Sequence, residues 1–134
     1  MTKEHKIILE KLKEYLEQNP NQRFGQALFN LGINEFKENE QFVLRDIYGD
    51  EDSKIINRIK KQLNWFDLQK KVQIGAVNIE EIGGMTVNER LYVSGLSNLF
   101  DEARENNKEH ARFILESLKV DELSILKILE LNHY

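Results

Sequence analysis

The residues best suited to acid–base or metal chemistry are three histidines, and they are widely separated. His5, His110 and His133 are spread over 134 residues, and His133 is one residue from the C-terminus. Zinc sites on helices commonly use two histidines four positions apart, and no pair here has that spacing. The chain contains no cysteine, which excludes disulfides, thiolate metal sites and cysteine nucleophiles. We predict that each histidine is an ordinary surface residue and that the chain holds no metal.

A run of acidic residues invites comparison with a calcium-binding loop. The run consists of Asp46, Asp50, Glu51 and Asp52. A calcium loop that begins at Asp50 needs oxygen ligands at its first, third and fifth positions, but the fifth residue is Lys54 and no glutamate closes the loop. Carboxylates also stabilise the positive N-terminal end of a helix. We therefore predict that the run marks the start of a helix and binds no metal.

The glycines give no sign of a phosphate-binding loop, because none has the required neighbours after a strand. Gly25 and Gly95 each fall inside a predicted helix, where glycine costs about 1 kcal/mol relative to alanine. We predict that another helix packs closely against each of them. Without a catalytic constellation, we predict that the protein has no cofactor, no catalytic residue and no enzymatic activity.

The hydrophobic periodicity predicts an all-α fold, a compact bundle of five to six helices. The first helix runs from its cap Thr2 to Gln18, and the second ends at Gly32, which suits a left-handed C-terminal cap. Residues 34–49 fit neither helix nor strand, so we predict an irregular packed connection. A third helix follows the acidic run.

The C-terminal part of the chain begins with a clear helix signal. Thr86 and Glu89 form a capping box, which predicts a long helix as far as Asn106. Asp121 is the expected N-terminal cap of the last helix. Apolar residues occupy so many positions of this helix that little of its surface can be polar. Its apolar residues are Leu123, Ile125, Leu126, Ile128, Leu129 and Leu131. We predict that this helix lies between two modules; a homodimer through its spare apolar face is the alternative.

The sequence GGMTVNE, in which Met85 follows two glycines, reads as the start of a second small protein joined to a first. We predict an N-terminal helical module over residues 1–64, a bridge over 65–84 and a C-terminal helical module over 85–134. Weak alternation of Val72, Ile74 and Ala76 leaves open one short strand or hairpin in the bridge. We expect both modules to share one continuous core.

The charge is uneven along the chain. Residues 1–78 contain 13 Lys/Arg and 12 Asp/Glu, a net charge of +1, whereas residues 79–134 contain 6 and 11, a net charge of −5. An acidic surface attracts basic partners and repels phosphate backbones, although some of these charges belong to an ordinary solvated helix face. No stretch is apolar enough to span a membrane, so we predict a cytoplasmic protein with no membrane association.

Two parts of the sequence resemble known families. Residues 22–33 and 45–52, which read QRFGQALFNLGI and RDIYGDED, resemble a family of small uncharacterised bacterial and phage proteins. Residues 85–96 and 99–103, which read MTVNERLYVSGL and LFDEA, resemble a second family of short bacterial proteins associated with toxin and immunity neighbourhoods. Neither resemblance implies a catalytic residue.

The acidic module and the second resemblance predict a non-enzymatic protein-binding protein. We expect an immunity protein that neutralises a bacterial toxin by covering its active or substrate-binding surface, where the partner is a basic toxin domain. Tyr92 is the expected aromatic anchor of the contact. The expected acidic contacts are Asp101, Glu102, Glu105 and Glu109.

Two other functions stay open. A nucleic-acid-associated regulator of phage or mobile-element origin would use a basic cluster on the third helix, near Trp65. The cluster consists of Lys54, Arg58, Lys60 and Lys61. Twelve acidic residues in the same part of the chain make nucleic acid the less favoured partner. The second alternative is an enzyme whose site has no recognisable motif.

Overall fold

In the computed structural model, which describes residues 1–77, 79 and 82–130, the chain is all-α as predicted. Across those residues there are seven α-helices and one short 3₁₀ turn, Ile82–Gly84, and no β-strand. The helices are α1 (Lys3–Gln18), α2 (Phe24–Asn30), α3 (Asp52–Val77), α4 (Val87–Ser94), α5 (Ser97–Asn106), α6 (Lys108–Ser117) and α7 (Glu122–Glu130). His133 and Leu131 lie outside the described residues.

The chain divides into two compact units, Met1–Trp65 and Phe66–Tyr134. Helix α3 runs through the boundary and supplies its first half to one unit and its second half to the other. The short strand considered for the bridge is therefore wrong, because Val72 is a fully buried residue of α3. Of the three alternating apolar residues only Val72 is buried in the core, whereas Ile74 is exposed on the outer side of the helix. The shared core stays a prediction.

The first two helices begin and end where their capping residues predict. Thr2 caps α1 by accepting a hydrogen bond from the backbone N–H of His5 at 3.1 Å. Gly32 ends α2 with a φ of +77°, and the N–H groups of Ile33 and Asn34 both donate to the carbonyl of Leu28. The buried apolar residues of this unit are Tyr15, Ala27, Leu31, Ile56 and Ile59.

Residues 35–45, called the 35–45 loop below, form a narrow antiparallel turn within the predicted irregular connection. Phe36 and Leu44 form an isolated bridge, flanked by hydrogen bonds from the N–H of Lys37 to the carbonyl of Val43 and from Arg45 to Glu35. Phe42, close to the tip, has a φ of +66°. This left-handed conformation is uncommon for a bulky side chain and carries strain.

In the second unit, the long helix predicted from Thr86 to Asn106 is interrupted. The capping box of Thr86 and Glu89 begins α4 as predicted, but Gly95 ends it in a left-handed conformation with a φ of +74°. Helices α4 and α5 are therefore separate, which explains why the described residues form seven helices and not the five to six predicted. Asn107 ends α5 through its backbone N–H and caps α6 through its side chain, which accepts from the N–H of His110.

Helix α7 has one inner residue and an exposed outer side. Asp121 caps it by accepting from the N–H and the hydroxyl of Ser124. Ile125 is fully buried, whereas Leu123 and Leu126 are exposed. The helix thus contributes to the packing of its own unit and also presents apolar side chains to solvent. Dimerisation through this side stays a prediction.

No helix among the described residues is long and apolar enough to cross a membrane.

Close packing occurs at a different glycine from those predicted. Gly25 has no neighbour within 4 Å of the position that a Cβ atom would occupy, and Gly95 caps a helix instead of lying inside one. The close approach is at Gly75 of α3, where a Cβ atom would lie 2.7 Å from the backbone carbonyl oxygen of Ser94 and 3.2 Å from Cγ of Leu96. Only glycine lets the end of α4 pack here.

We expect Gly75→Ala to destabilise the protein by about 1–3 kcal/mol, because the clash with backbone outweighs the better helix propensity of alanine. The matched control is Gly25→Ala, which also adds one methyl group inside a helix but meets open space. The control should raise the free energy of unfolding by up to about 1 kcal/mol. Urea denaturation of both variants measures the difference. Equal shifts would show that α3 does not pack tightly at Gly75.

Candidate functional site

The four predicted acidic contacts lie on two consecutive helices of the second unit. Asp101, Glu102 and Glu105 belong to α5, and Glu109 lies in the first turn of α6. All four side chains are exposed. Positions three or four apart on a helix are neighbours on its surface, so Glu105 lies beside both Asp101 and Glu102. These four residues are called the acidic patch below.

None of the four carboxylates forms an ion pair with another residue in the described part of the chain. Other carboxylates of the same unit are engaged: Glu116 and Glu122 pair with Arg112, and Glu89 belongs to the capping box of α4. The Arg112 guanidinium holds the pKa of Glu122 below its usual range. Within the described part of this unit, the carboxylates of the acidic patch are thus exposed and form no ion pair.

Arg104 could neutralise part of the patch, since it lies three residues after Asp101 on α5. Instead, the centre of its guanidinium lies 5.9 Å from the centroid of the Phe100 ring. Its Nε is buried and has no hydrogen-bond partner among the described residues. Asp101 and Glu105 then stand four apart on α5 with like charges, which destabilises a helix slightly.

Tyr92, the predicted aromatic anchor, lies on α4 and is 82% exposed. Its ring is thus accessible to a partner. The α4 and α5 helices pack against each other within the second unit.

The four residues of the predicted nucleic-acid cluster do not form one basic surface. Lys54, Lys60 and Lys61 are exposed on α3. Arg58, in contrast, is directed into the first unit, where its Nε donates to the carbonyl of Gly32 at 2.7 Å and its Nη2 donates to that of Ile33 at 3.2 Å. Of the predicted cluster, the three lysines therefore lie on the surface of α3, whereas the arginine does not.

Arg58 belongs to a group of four charged side chains that holds the 35–45 loop. Its Nη1 lies 3.0 Å from Oδ2 of Asp50, and Asp50 also accepts two hydrogen bonds from the guanidinium of Arg45, at 2.9 and 2.5 Å. Arg45 in turn donates to Glu35 at 2.8 Å. We call Glu35, Arg45, Asp50 and Arg58 the ion network. Asp50 was predicted to mark a helix start, and its main role here is to join the two arginines.

Asp50 is the most buried member of the ion network, with 13% of its side-chain surface exposed. The hydrogen bonds from Arg45, more than those from Arg58, hold its pKa at about 2, against a usual value of 3.8, and outweigh the opposing effect of burial. The same contacts raise the pKa of Arg45. Both groups stay charged at neutral pH, which keeps the loop fixed.

The histidines carry no catalytic arrangement in the described residues. Nε2 of His5 lies 3.0 Å from Oδ2 of Asp52 at the surface, and the backbone N–H of His110 takes part in the capping of α6. His133 lies outside the described residues. Among these residues, no group of three histidine, aspartate or glutamate side chains is placed to hold a metal ion.

The structure also contains a groove that the sequence did not reveal. It lies in the first unit, has a volume of about 640 Å³ and is lined by α2, the residues before it and the 35–45 loop. Three phenylalanine rings line it: Phe29 and Phe36 are 4.5 Å apart between centroids, and Phe36 and Phe42 are 5.8 Å apart, edge to face. We call it the aromatic groove. Its rings come from different elements, so no sequence period could have placed them together.

The chain was compared with known proteins, and no protein-family model, curated protein or solved structure matched it.

The pKa of Asp50 leads to a prediction of acid stability. Since the folded-state pKa of about 2 lies below the usual 3.8, Asp50 contributes stability that is present above about pH 4 and lost as the pH falls through about 2. Asp50→Asn should lower the thermal midpoint at pH 7 and make its fall between pH 4 and pH 2 less steep.

Thermal unfolding followed by circular dichroism at pH 7, 4, 3 and 2 measures both effects. Glu51→Gln is the matched control, since Glu51 is the exposed neighbour of Asp50 and forms no ion pair among the described residues. The control should keep the pH dependence of the unaltered protein. An Asp50→Asn variant with that same pH dependence would contradict the role of Asp50.

Proposed function

We propose that the protein is a non-enzymatic protein-binding protein and that it acts as an immunity protein, neutralising a bacterial toxin by covering its active or substrate-binding surface. The observation that supports this most directly is the acidic patch, whose four carboxylates are exposed and unpaired within the described part of the chain. Such a patch suits a partner whose surface is basic, as it must be in a toxin that acts on nucleic acid.

The mechanism of inhibition follows from charge and position. Carboxylates on α5 and the start of α6 attract the cationic groups with which such a toxin holds its substrate, and the bound chain then excludes the substrate from them. Because the patch is exposed on the surface of helices, its long-range attraction increases the rate of association more than it slows dissociation. Tyr92 supplies an apolar ring that can be desolvated on binding, the kind of residue that contributes strongly to binding energy.

A growth assay tests the proposal. Each protein encoded next to this chain is expressed in a bacterial host, alone and together with the chain. We expect one of these neighbours to stop growth and the chain to restore it. The proposal fails if no neighbour is toxic, or if the chain does not restore growth in the presence of a toxic one.

The role of the acidic patch is tested by neutralising it with Asp101→Asn, Glu102→Gln, Glu105→Gln and Glu109→Gln together. Association with the purified toxin should slow by about tenfold or more at low salt, and its dependence on salt should become flatter. Stopped-flow fluorescence measures the rate.

The matched control removes the same number of charges from α1 of the first unit. It combines Glu4→Gln, Glu10→Gln, Glu14→Gln and Glu17→Gln. The control should keep the rate and salt dependence of the unaltered chain. Equal slowing by both variants would mean that net charge, and not this patch, guides association.

The alternative of a nucleic-acid-associated regulator is separated by one measurement on the same protein. Fluorescence anisotropy with labelled duplex DNA and single-stranded RNA should show no tight binding at about 0.15 M salt, where exposed charges further apart than about 8 Å are largely screened. Tight, salt-sensitive binding that is lost on changing Lys54, Lys60 and Lys61 to glutamine would favour the regulator over the immunity protein.

A further inference from the structure

The aromatic groove has the composition of a binding site for an uncharged ligand. All of its lining residues are glutamine, asparagine, glycine, phenylalanine or leucine, so no charged side chain faces the ligand space. Its volume of about 640 Å³ falls within the range of about 300–1,000 Å³ that is usual for binding pockets. The groove thus differs in chemistry from the acidic patch, which belongs to the other unit.

Its rings are presented at some cost to the fold. Phe42 is 76% exposed and adopts a φ of +66°, a conformation that a bulky residue strongly disfavours. Leu44 is 56% exposed. The ion network holds the loop that carries both residues, because Arg45 at its end is tied to Glu35 and Asp50. Strain of this kind concentrates at sites of binding.

The backbone of the loop offers an open edge for pairing. Phe36 and Leu44 are the non-hydrogen-bonded pair of the antiparallel bridge, so the N–H and C=O groups of each point away from the other strand segment. Neither residue uses these groups in a backbone hydrogen bond within the described part of the chain. An extended peptide can add to such an edge as a further strand, with alternate side chains entering the neighbouring groove.

Two side-chain amides are also fixed in the groove wall. The buried Tyr15 hydroxyl donates to Oε1 of Gln22 at 2.8 Å, and Nδ2 of Asn30 donates to the same Oε1 at 3.2 Å. These bonds use the carbonyl of Gln22 and the amino group of Asn30. The Gln22 amino group and the Asn30 side-chain carbonyl form no hydrogen bond with the residues that the structure describes, and this donor and acceptor together match the two groups of a peptide bond.

We propose that the aromatic groove binds an extended, uncharged peptide segment that carries an aromatic or large aliphatic side chain. The peptide pairs its main chain with the open edge at Leu44 or Phe36 and places its apolar side chain against Phe29, Phe36 and Phe42. Gln22 and Asn30 bond a peptide group beside that side chain. The partner segment belongs to another protein, and its recognition is independent of the acidic patch.

Selection from a phage-displayed library of random 12-residue peptides on the immobilised full chain tests the proposal. The enriched sequences should be uncharged at their centre and should share an aromatic or large aliphatic residue. The most enriched peptide is then synthesised with a fluorescein label, and its affinity is measured by anisotropy. No enrichment, or enrichment of charged sequences, would overturn the proposal.

Single substitutions test whether the peptide binds in the aromatic groove. Phe42→Ala should weaken binding by at least about tenfold, as loss of a central aromatic contact usually does. Tyr48→Ala is the matched control, because Tyr48 is 95% exposed, lies close by in sequence and does not line the groove. The control should bind like the unaltered protein. Equal affinity of the Phe42→Ala variant would overturn the proposal.

A second variant separates recognition from folding. Phe42→Gly removes the ring but also removes the strain of the positive φ, since glycine adopts that conformation freely. We expect its thermal midpoint to stay close to that of the unaltered protein while peptide affinity falls at least about tenfold. Affinity retained in this folded variant would show that the ring does not contact the peptide.

Main-chain pairing is tested on the peptide itself. Replacing single N–H groups of the enriched peptide by N-methyl groups, one position at a time, should abolish binding at the one position that pairs with the bridge residue and spare its two neighbours, because successive N–H groups of a strand point in opposite directions. Equal effects at all positions would overturn pairing with the open edge.

Sedimentation of the free chain provides the remaining test. A dimer that Phe42→Ala dissociates would assign the groove to a second copy and overturn the proposal. The variant with a neutralised acidic patch should bind the peptide normally, so that failure of the immunity function and failure of this inference are distinguishable.

Discussion

The guanidinium of Arg58 donates to the backbone carbonyls of Gly32 and Ile33 and at the same time lies against the carboxylate of Asp50. The end of α2, the segment before α3 and α3 itself therefore meet at one side chain. Each partner satisfies a polar group that would otherwise be left without a bond at a half-buried position. The Phe42 ring keeps its place in the groove because this contact, extended by Arg45, holds the loop.

The sequence predicted those elements whose signals are local. Thr2 and the Thr86–Glu89 box mark helix starts because a cap requires residues only three positions apart. The break at Gly95 was missed because a glycine within a periodic pattern reads equally well as interior or cap. Gly75 was overlooked for the opposite reason: its role depends on a carbonyl of α4, which no local pattern contains.

The two surfaces illustrate the same limit. The acidic patch could be predicted because its residues are adjacent in sequence, whereas the aromatic groove joins rings from α2 and from both sides of the 35–45 loop. Likewise, Arg58 looked like a surface cation among lysines, and only the position of Gly32 and Asp50 shows that it faces inward. Spacing along the chain cannot separate an exposed arginine from one that closes a loop.

Asn107 is the single residue between α5 and α6; it ends α5 with its backbone N–H and caps α6 with its side chain. Fraying at the end of one helix therefore also disturbs a hydrogen bond at the start of the other, which couples the two ends. The acidic patch spans this junction, and its spacing is set by the two torsion angles of a single residue. The backbone conformation of Asn107 thus determines how far the carboxylates on α5 lie from Glu109 on α6.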